Sequence, residues 1–384
     1  MSSLNASQPF QFLISVFRVA GIWNDHISWS FLQLFYLVVV QLAFFVSFFL
    51  SMCINLAFIE SIESITESLY MTLTTVSLMV KIVNIVMKHK KLLNFVKGIN
   101  ASLIQPHTEE EIQLFRRAYK NFNWQRNTFF GSAYFCLVAA LYSSAIGRDR
   151  LPFPGWYPLD WKNNERYFWI IYGYQILAMG LSCTTNAAAD LMNGYMFCQI
   201  AIFFRMISKR IENIGHSGYN GKELPNGEAC RKLLGCIRMH QFVTRLANDA
   251  QDILTWPIFV QFNTGGIVLC FTAFQMTLLS PIADTGTFFL YFLFMVCMLF
   301  ENSLPCYYGN EVIVESGQVL TSLYFSNWPA LSMEYKKHVF HFMEGLKKPI
   351  TPKAGGYFTI GLVALASIIR GAYSLFALII NLEN

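Results

Sequence analysis

The sequence predicts an all-α integral membrane protein with seven transmembrane helices. Its 384 residues are 54% hydrophobic and only 13% charged, roughly half the charged fraction of a soluble protein. Seven apolar segments also reach the length at which a helix crosses the hydrocarbon core, about 20 residues. We number these predicted spans 1 to 7 in chain order: residues 31–59, 66–87, 128–147, 167–204, 254–280, 287–309 and 356–382.

Two of the spans differ from a simple crossing. Span 4 is too long for the bilayer, so we expect its helix to continue into water, with Arg205, Lys209 and Arg210 marking the boundary. Span 7 is followed only by Glu383 and Asn384, and we therefore expect no cytoplasmic signalling tail. The polar and apolar alternation before span 1 predicts no cleavable signal peptide.

Lys and Arg residues orient the spans, because cytosolic loops carry more of them than extracellular loops do. Loops 88–126, 205–252 and 310–353 contain 8, 8 and 5 basic residues, whereas loop 148–166 contains 4 and the loops after spans 1 and 5 contain none. The N-terminus is therefore predicted to lie in the cytosol and the C-terminus outside the cell.

Seven spans raise the alternative of a metabotropic, G-protein-coupled chemoreceptor. The triplet Arg148-Asp149-Arg150 after span 3 resembles the acidic-arginine motif of that class. In the predicted topology, however, the triplet lies outside the cell and the N-terminus lies inside, the reverse of that class. Loop 148–166 also contains no cysteine for the usual disulfide, and span 7 contains no Asn-Pro-x-x-Tyr. We interpret the triplet as the start of an exposed loop.

Other chemistry is not indicated by the sequence. The nine cysteines fall in apolar spans or predicted cytosolic loops and have neither zinc-ligand nor CxxC spacing. His338 and His341 lack a further ligand at a suitable spacing. We find no nucleophile–base constellation and no phosphate-binding loop. The sequence therefore predicts no enzyme activity, no cofactor, no metal site and no nucleic-acid partner.

Several segments together resemble the insect odorant receptor family over most of the chain. Residues 151–158, Leu-Pro-Phe-Pro-Gly-Trp-Tyr-Pro, look like that family's second extracellular loop. Residues 306–311, Cys-Tyr-Tyr-Gly-Asn-Glu, and 324–328, Tyr-Phe-Ser-Asn-Trp, are similar to its span-6 exit and following turn. The strongest block is Ala-Gly-Gly-Tyr-Phe at 354–358 followed by Ala-Tyr-Ser-Leu-Phe at 372–376. The order and spacing of these segments carry the resemblance.

Two departures narrow the resemblance to a variable, odorant-tuning subunit. The Thr-Tyr-(five residues)-Gln-Phe signature of the related gustatory receptors is missing from the matching stretch, residues 373–378. The obligate odorant co-receptor has an extended insertion between spans 4 and 5, and residues 205–252 leave no room for one. A gustatory-receptor-type channel stays an alternative.

The resemblance implies a ligand-gated, non-selective cation channel in the plasma membrane of olfactory neuron dendrites. Implied partners are the co-receptor, in a heterotetramer, a small volatile odorant, and the permeating monovalent and divalent cations. We expect the chain to divide into spans 1–4 with the odorant pocket, a cytosolic anchor segment, spans 5–6, a cytosolic anchor helix with its turn, and the pore-lining span 7: residues 1–204, 205–253, 254–309, 310–355 and 356–384.

Span 7 carries the residues that the resemblance assigns to the pore. Ser374, Leu378, Asn381 and Leu382 recur at helical spacings of three and four, so they share one face. Leu378 and Leu382 match the family's gate positions and Asn381 its polar pore position, and narrow apolar rings can gate ions by dewetting. Arg370 in the same span is expected to face protein or water, either near the inner vestibule of the pore or in an ion pair with an acidic residue of the anchor.

The odorant pocket is expected among the outer halves of spans 2, 3, 4 and 6, where the resemblance places it. Aromatic, small and sulfur-containing side chains there suit a small volatile: Tyr70, Thr74, Cys136, Ala139, Ala140, Tyr142, Tyr172, Ile176, Met179, Phe288, Tyr291 and Phe292. Lys81 and Asp190 lie in the inner halves of spans 2 and 4. Because an isolated charge at membrane depth is costly, a contact between them is conceivable.

Overall fold

A computed structural model describes residues 8–59, 61–147, 151–214, 226–280, 282 and 284–383. The helices are α1 (Gln8–Val19), α2 (Phe31–Val40), α3 (Ser47–Leu56), α4 (Ile62–Met87), α5 (His89–Gly98), α6 (Glu109–Gly147), α7 (Glu165–Glu212), α8 (Asn226–Thr277), α9 (Thr285–Phe325), α10 (Met333–Leu346) and α11 (Leu362–Glu383). A π-helical turn, Gln41–Val46, joins α2 to α3, and short 3₁₀ turns occupy Ser102–Ile104 and Trp328–Ala330. Strands β1 (Lys353–Ala354) and β2 (Phe358–Thr359) form an antiparallel hairpin.

The prediction of seven membrane-spanning helices is confirmed. Among the described residues, 7 helices are long and apolar enough to cross a bilayer. They are, in order, α2 to α3 across the π turn, α4, α6, α7, α8, α9 and α11, and they correspond to spans 1 to 7. The triplet Arg148-Asp149-Arg150 lies outside the described residues.

Helix α7 forms the centre of the bundle. Every residue from Ala187 to Phe204 is buried, as expected for a helix that is apolar on all sides. Helix α9 packs along it, with α6, α8 and α1 on its other sides. The ring of Phe10 in α1 meets that of Tyr195 edge-on at 4.6 Å. No helix was predicted before span 1, although Phe10, Leu13, Ile14 and Phe17 recur at helical spacings of three and four.

Four spans continue well past their apolar segments. Helix α7 runs on to Glu212, as predicted, but α6 begins at Glu109, α8 at Asn226, and α9 extends to Phe325. The predicted segment boundaries at 204/205, 253/254 and 309/310 therefore fall inside continuous helices. Ion pairs hold these polar extensions together, with Arg210 Nε 2.8 Å from Glu111 Oε1 and Arg205 contacting Glu311 and Glu315.

Span 7 begins later than predicted, because a hairpin occupies its first residues. Gly355 and Gly356 have φ values of +60° and +80° in the three-residue loop between the strands, left-handed conformations that glycine adopts without steric cost. The Gly355 N–H donates to the carbonyl oxygen of Thr255 in α8 at 3.0 Å. The helix itself starts only at Leu362. Helix α10 ends at Leu346, before Pro349, and its first turn is capped by the Ser332 hydroxyl.

Candidate functional site

A cavity of about 440 Å³ lies among α4, α6, α7 and α9. This volume falls in the range of small-molecule sites, roughly 300–1,000 Å³. Residues 151–153 of the loop between α6 and α7 line one end, which we call the loop end. The opposite end lies at the level of Leu78, Ala187 and Glu301, in the middle of the bundle, and we call it the deep end.

The walls of the cavity are mainly aromatic, aliphatic and sulfur-containing side chains. The Tyr70 ring meets Tyr291 edge-on at 6.1 Å and Phe294 at 5.3 Å between centroids. The thiols of Cys136 and Cys297, from α6 and α9, face each other with their sulfur atoms 3.7 Å apart. Such a lining supplies contact area and shape for a small apolar molecule and few directional bonds.

A buried ionic network closes the deep end. The Lys81 ammonium lies 2.6 Å from Asp190 Oδ1 and 2.9 Å from Glu301 Oε1, and it donates to Asn186 Oδ1 at 2.9 Å. The side chains of Lys81, Asp190 and Glu301 are 1%, 0% and 8% exposed. The contact between Lys81 and Asp190 that the sequence suggested is confirmed. Glu301 and Asn186 were missed, although a carboxylate within an apolar span is the same signal that singled out Asp190.

Further polar groups border this network. Ser182 stands one helical turn before Asn186 on α7, and both line the cavity. The Ser182 hydroxyl is buried and makes no hydrogen bond to the described part of the chain. The cavity therefore has polar groups at its deep end, as it also has near the loop end, where Ser143 and Ser144 line it, and an aromatic and aliphatic wall between them.

Six of the twelve residues predicted for the odorant pocket line this cavity: Tyr70, Thr74, Cys136, Ala140, Met179 and Tyr291. The cavity face of α9 consists of Thr287, Leu290, Tyr291, Phe294, Cys297, Met298 and Glu301, which repeat at the spacings of a single helix face. The other six lie elsewhere: Ala139, Tyr142, Tyr172, Ile176, Phe288 and Phe292.

The reasons for these six placements are geometric. Phe288 and Phe292 lie off the cavity face of α9, and Ala139 and Tyr142 lie off that of α6; Tyr142 is 68% exposed. The cavity wall from α7 begins only at Met179, so Tyr172 and Ile176 lie beyond it. The Tyr172 hydroxyl instead donates to the Leu141 carbonyl oxygen at 2.9 Å.

The predicted pore residues lie on an exposed face of α11. Ser374, Leu378 and Asn381 are all exposed, with Leu378 at 55%. Leu382 belongs to α11, but its side chain lies outside the described residues. Only 6% of the apolar stretch of this helix is buried, against 100% for α7. Arg370 is exposed and forms no ion pair with the described residues.

A second cavity, of about 510 Å³, lies farther along α6, α7 and α9. Its lining includes Arg117, Arg205 and Glu311 beside Trp124 and Tyr307. These charged side chains make it a poor site for an apolar volatile. Among the described residues, no group of three or more His, Cys, Asp and Glu side chains is placed to hold a metal ion.

Comparison with known proteins gives concordant matches. The family model described as 7tm odorant receptor matches residues 61–373. Odorant receptor 94a of Drosophila melanogaster is 27% identical over 98% of both chains, and odorant receptor 2a of the same fly is 23% identical over 98% of both. Odorant receptor Or1 of Anopheles gambiae is 21% identical over 85% of this chain and 83% of its own.

The fold is also similar to that of a solved receptor. The structure of the insect olfactory receptor OR5 from Machilis hrabei matches with a TM-score of 0.83 at 16% identity, covering 97% of both chains. The structure of the same receptor in complex with eugenol matches with a TM-score of 0.84 at 15% identity, covering 98% of both.

Proposed function

Because the chain belongs to the 7tm odorant receptor family, we propose that it is the odorant-binding subunit of a ligand-gated, non-selective cation channel. It assembles with the odorant co-receptor into a heterotetramer in the dendritic plasma membrane of olfactory sensory neurons. A small volatile binds in the cavity among α4, α6, α7 and α9. Binding opens a hydrophobic gate in α11, and monovalent and divalent cations pass.

The observation that carries this proposal is the cavity itself. Its apolar wall offers a volatile the burial from which most of the affinity of a small molecule comes. A ligand that buries about 250 Å² of apolar surface gains about 6 kcal/mol from this burial. That gain suits a detector of dilute volatiles that must also release them.

The exposure of α11 supports its role as the pore helix. An apolar helix that packs on its own chain along one side needs lipid or neighbouring subunits on the other sides. Ser374 and Asn381 add polar groups to that exposed face, and a face in contact only with lipid would favour none. A central position in a tetramer gives these groups water and ions to face. The predicted topology then places the end of α11 at the extracellular side.

Co-expression with the co-receptor in a cell line tests the proposal. An odorant panel applied without added G protein is expected to evoke cation current, measured by whole-cell recording. Epitope tags before Met1 and after Asn384 test the topology in the same cells, with the second tag accessible from outside. Odorant responses that require a G protein, or the reverse tag accessibility, would instead favour the metabotropic alternative.

A substitution in α11 separates gating from ligand binding. We expect Leu378→Ala to raise the basal current several-fold, because it widens an apolar constriction, while the potency order of the odorants stays the same. Ile369→Ala is the matched control: Ile369 is also exposed, at 46%, and lies on the opposite face of the same helix. Equal currents from both variants and wild type would contradict the pore assignment.

A further inference from the structure

The deep end of the cavity holds two acidic side chains and one basic one. Asp190 and Glu301 share a single ammonium, that of Lys81. Either one negative charge stays uncompensated, or one carboxyl group keeps its proton. Among the described residues that line the cavity, Glu67 and Glu301 are acidic and none is Lys, Arg or His. The charge that a ligand meets inside the cavity is therefore that of carboxylates.

The Lys81 ammonium is held by its protein neighbours. Glu301 Oε1 and Asn186 Oδ1 each accept a hydrogen bond from it at 2.9 Å, and Asp190 Oδ1 lies 2.6 Å from the same nitrogen as an ion-pair partner. The carboxylate of Glu301 has four lone-pair positions, and Lys81 occupies one of them. The cluster thus faces the cavity mainly with acceptor atoms.

The Ser182 hydroxyl and the Asn186 amide, next to the cluster, also influence which head groups the deep end favours. The Ser182 hydroxyl, buried and without a partner in the described chain, can accept a hydrogen bond from a ligand or donate one to it, and leaving it unpaired costs about 1–3 kcal/mol. The Asn186 amide can donate to a ligand, but such a neutral hydrogen bond is about half as strong as one to a carboxylate. Donors on the ligand are therefore favoured over acceptors.

We propose that this cavity selects volatiles with a hydrogen-bond-donating head group, a hydroxyl or a protonated amine, over volatiles with acceptor-only groups of the same chain length. The head group lies between Ser182 and Glu301 at the deep end. The hydrocarbon part extends toward the loop end, along Tyr70, Tyr291 and Phe294. This inference rests on the proposed function, since it names the class of odorant that the same cavity binds.

The test compares three volatiles with equal chains and different head groups: hexanol, hexylamine and hexanal, with shorter and longer homologues of each. Half-maximal concentrations are measured by current recording from the protein co-expressed with the co-receptor. The alcohol or the amine is expected to be at least about tenfold more potent than the aldehyde, since hydrogen bonds to charged groups contribute about 1.5–3 kcal/mol. The more potent of hexanol and hexylamine shows whether the cavity favours a hydroxyl or a protonated amine.

Two variants connect the preference to its residues. Glu301→Gln keeps the shape and removes the charge, so it should reduce an amine preference by about tenfold or more. Ser182→Ala should weaken hydroxyl and amine ligands several-fold and the aldehyde less, because the aldehyde can only accept from the Ser182 hydroxyl whereas the other two can also donate to it. Ser143→Ala is the control, because it removes a hydroxyl from the loop end of the same cavity. Surface expression is measured for each variant, and Ser182→Ala, which removes no charge, carries the test if Glu301→Gln does not reach the surface.

The failures of the two proposals are distinguishable. If no volatile of a broad panel evokes current from the wild type, the proposed function fails. If the wild type responds but the aldehydes are as potent as the alcohols and amines, the donor preference is wrong and the channel function stands. A preference that survives both variants unchanged would also overturn the assignment to Ser182 and Glu301.

Discussion

Replacing Lys81 by Met tests the energetics of the buried network. Lys81 is 1% exposed and, among the residues that the structure describes, is the one cation in contact with Asp190 and Glu301, which are 0% and 8% exposed. Removing one partner of a buried ion pair typically costs about 3–5 kcal/mol, because the remaining charge is left uncompensated. Here two carboxyl groups lose their counter-charge, so we expect the upper part of that range. The melting temperature should fall by at least about 5 °C.

The measurement is the thermal unfolding of the detergent-solubilised protein, followed by fluorescence-detected size exclusion. Lys209→Met is the matched control, because Lys209 is 51% exposed and its pair with Glu212 lies within one helix turn, where an ion pair contributes about 0–1 kcal/mol. The triple variant Lys81→Met, Asp190→Asn and Glu301→Gln should recover part of the loss, since it removes the uncompensated buried charges and leaves only neutral amides to be hydrogen-bonded. A Lys81→Met melting temperature equal to that of the control would refute this reasoning.

Two further predictions concern the hairpin and a buried histidine. Gly355→Ala should reduce the melting temperature more than Gly356→Ala: both have positive φ, costing about 1–3 kcal/mol, but only at Gly355 would a new Cβ lie 2.6 Å from the Phe259 ring; equal losses would contradict a role for this contact. Burial lowers the pKa of His89, so the unfolded chain binds its proton more readily; stability should be full above pH of about 6.5 and fall as pH drops below that value. Melting curves of His89→Phe, compared with wild type, should lose this slope, and an unchanged slope would assign the pH dependence to other groups.

The number of spans was predictable because the bilayer imposes length and hydropathy on each crossing. Their ends were not, since charged residues continue a helix in water as readily as they end a span. Glu109 starts α6 although residues 109–127 are rich in charges, and ion pairs such as Arg210 with Glu111 stabilise that extension. These partners lie far apart in sequence, so no local sequence pattern predicts the ion pair. The hairpin at Gly355-Gly356 was similarly read as part of span 7, because its neighbours are apolar.

The sequence predicted the membrane level of the cavity but not which side of each helix faces it. Topology and resemblance placed Tyr291 and Phe292 at the same level of span 6, but only Tyr291 faces the cavity. Both sides of this helix are apolar, one toward protein and the other away from it, so hydropathy does not define the rotation of the helix. Polar residues such as Glu301 give better information, because an intramembrane carboxylate must face a partner or water. They fix the rotation that the apolar residues leave open.

The positions of α9 and α11 suggest how ligand binding reaches the gate. Helix α9 contributes Tyr291 and Glu301 to the cavity, and two turns later its Gly309 meets Ile360, immediately before α11. A Cβ at Gly309 would lie 2.7 Å from the Ile360 carbonyl oxygen, so the backbones touch without an intervening side chain. A ligand shifts a conformational equilibrium only through its different affinity for the two states. If α11 lines the pore as we propose, a small displacement of α9 at the cavity would change both the wall that binds the ligand and the base of the pore helix. This shared element would then give an odorant a physical means of favouring the open state.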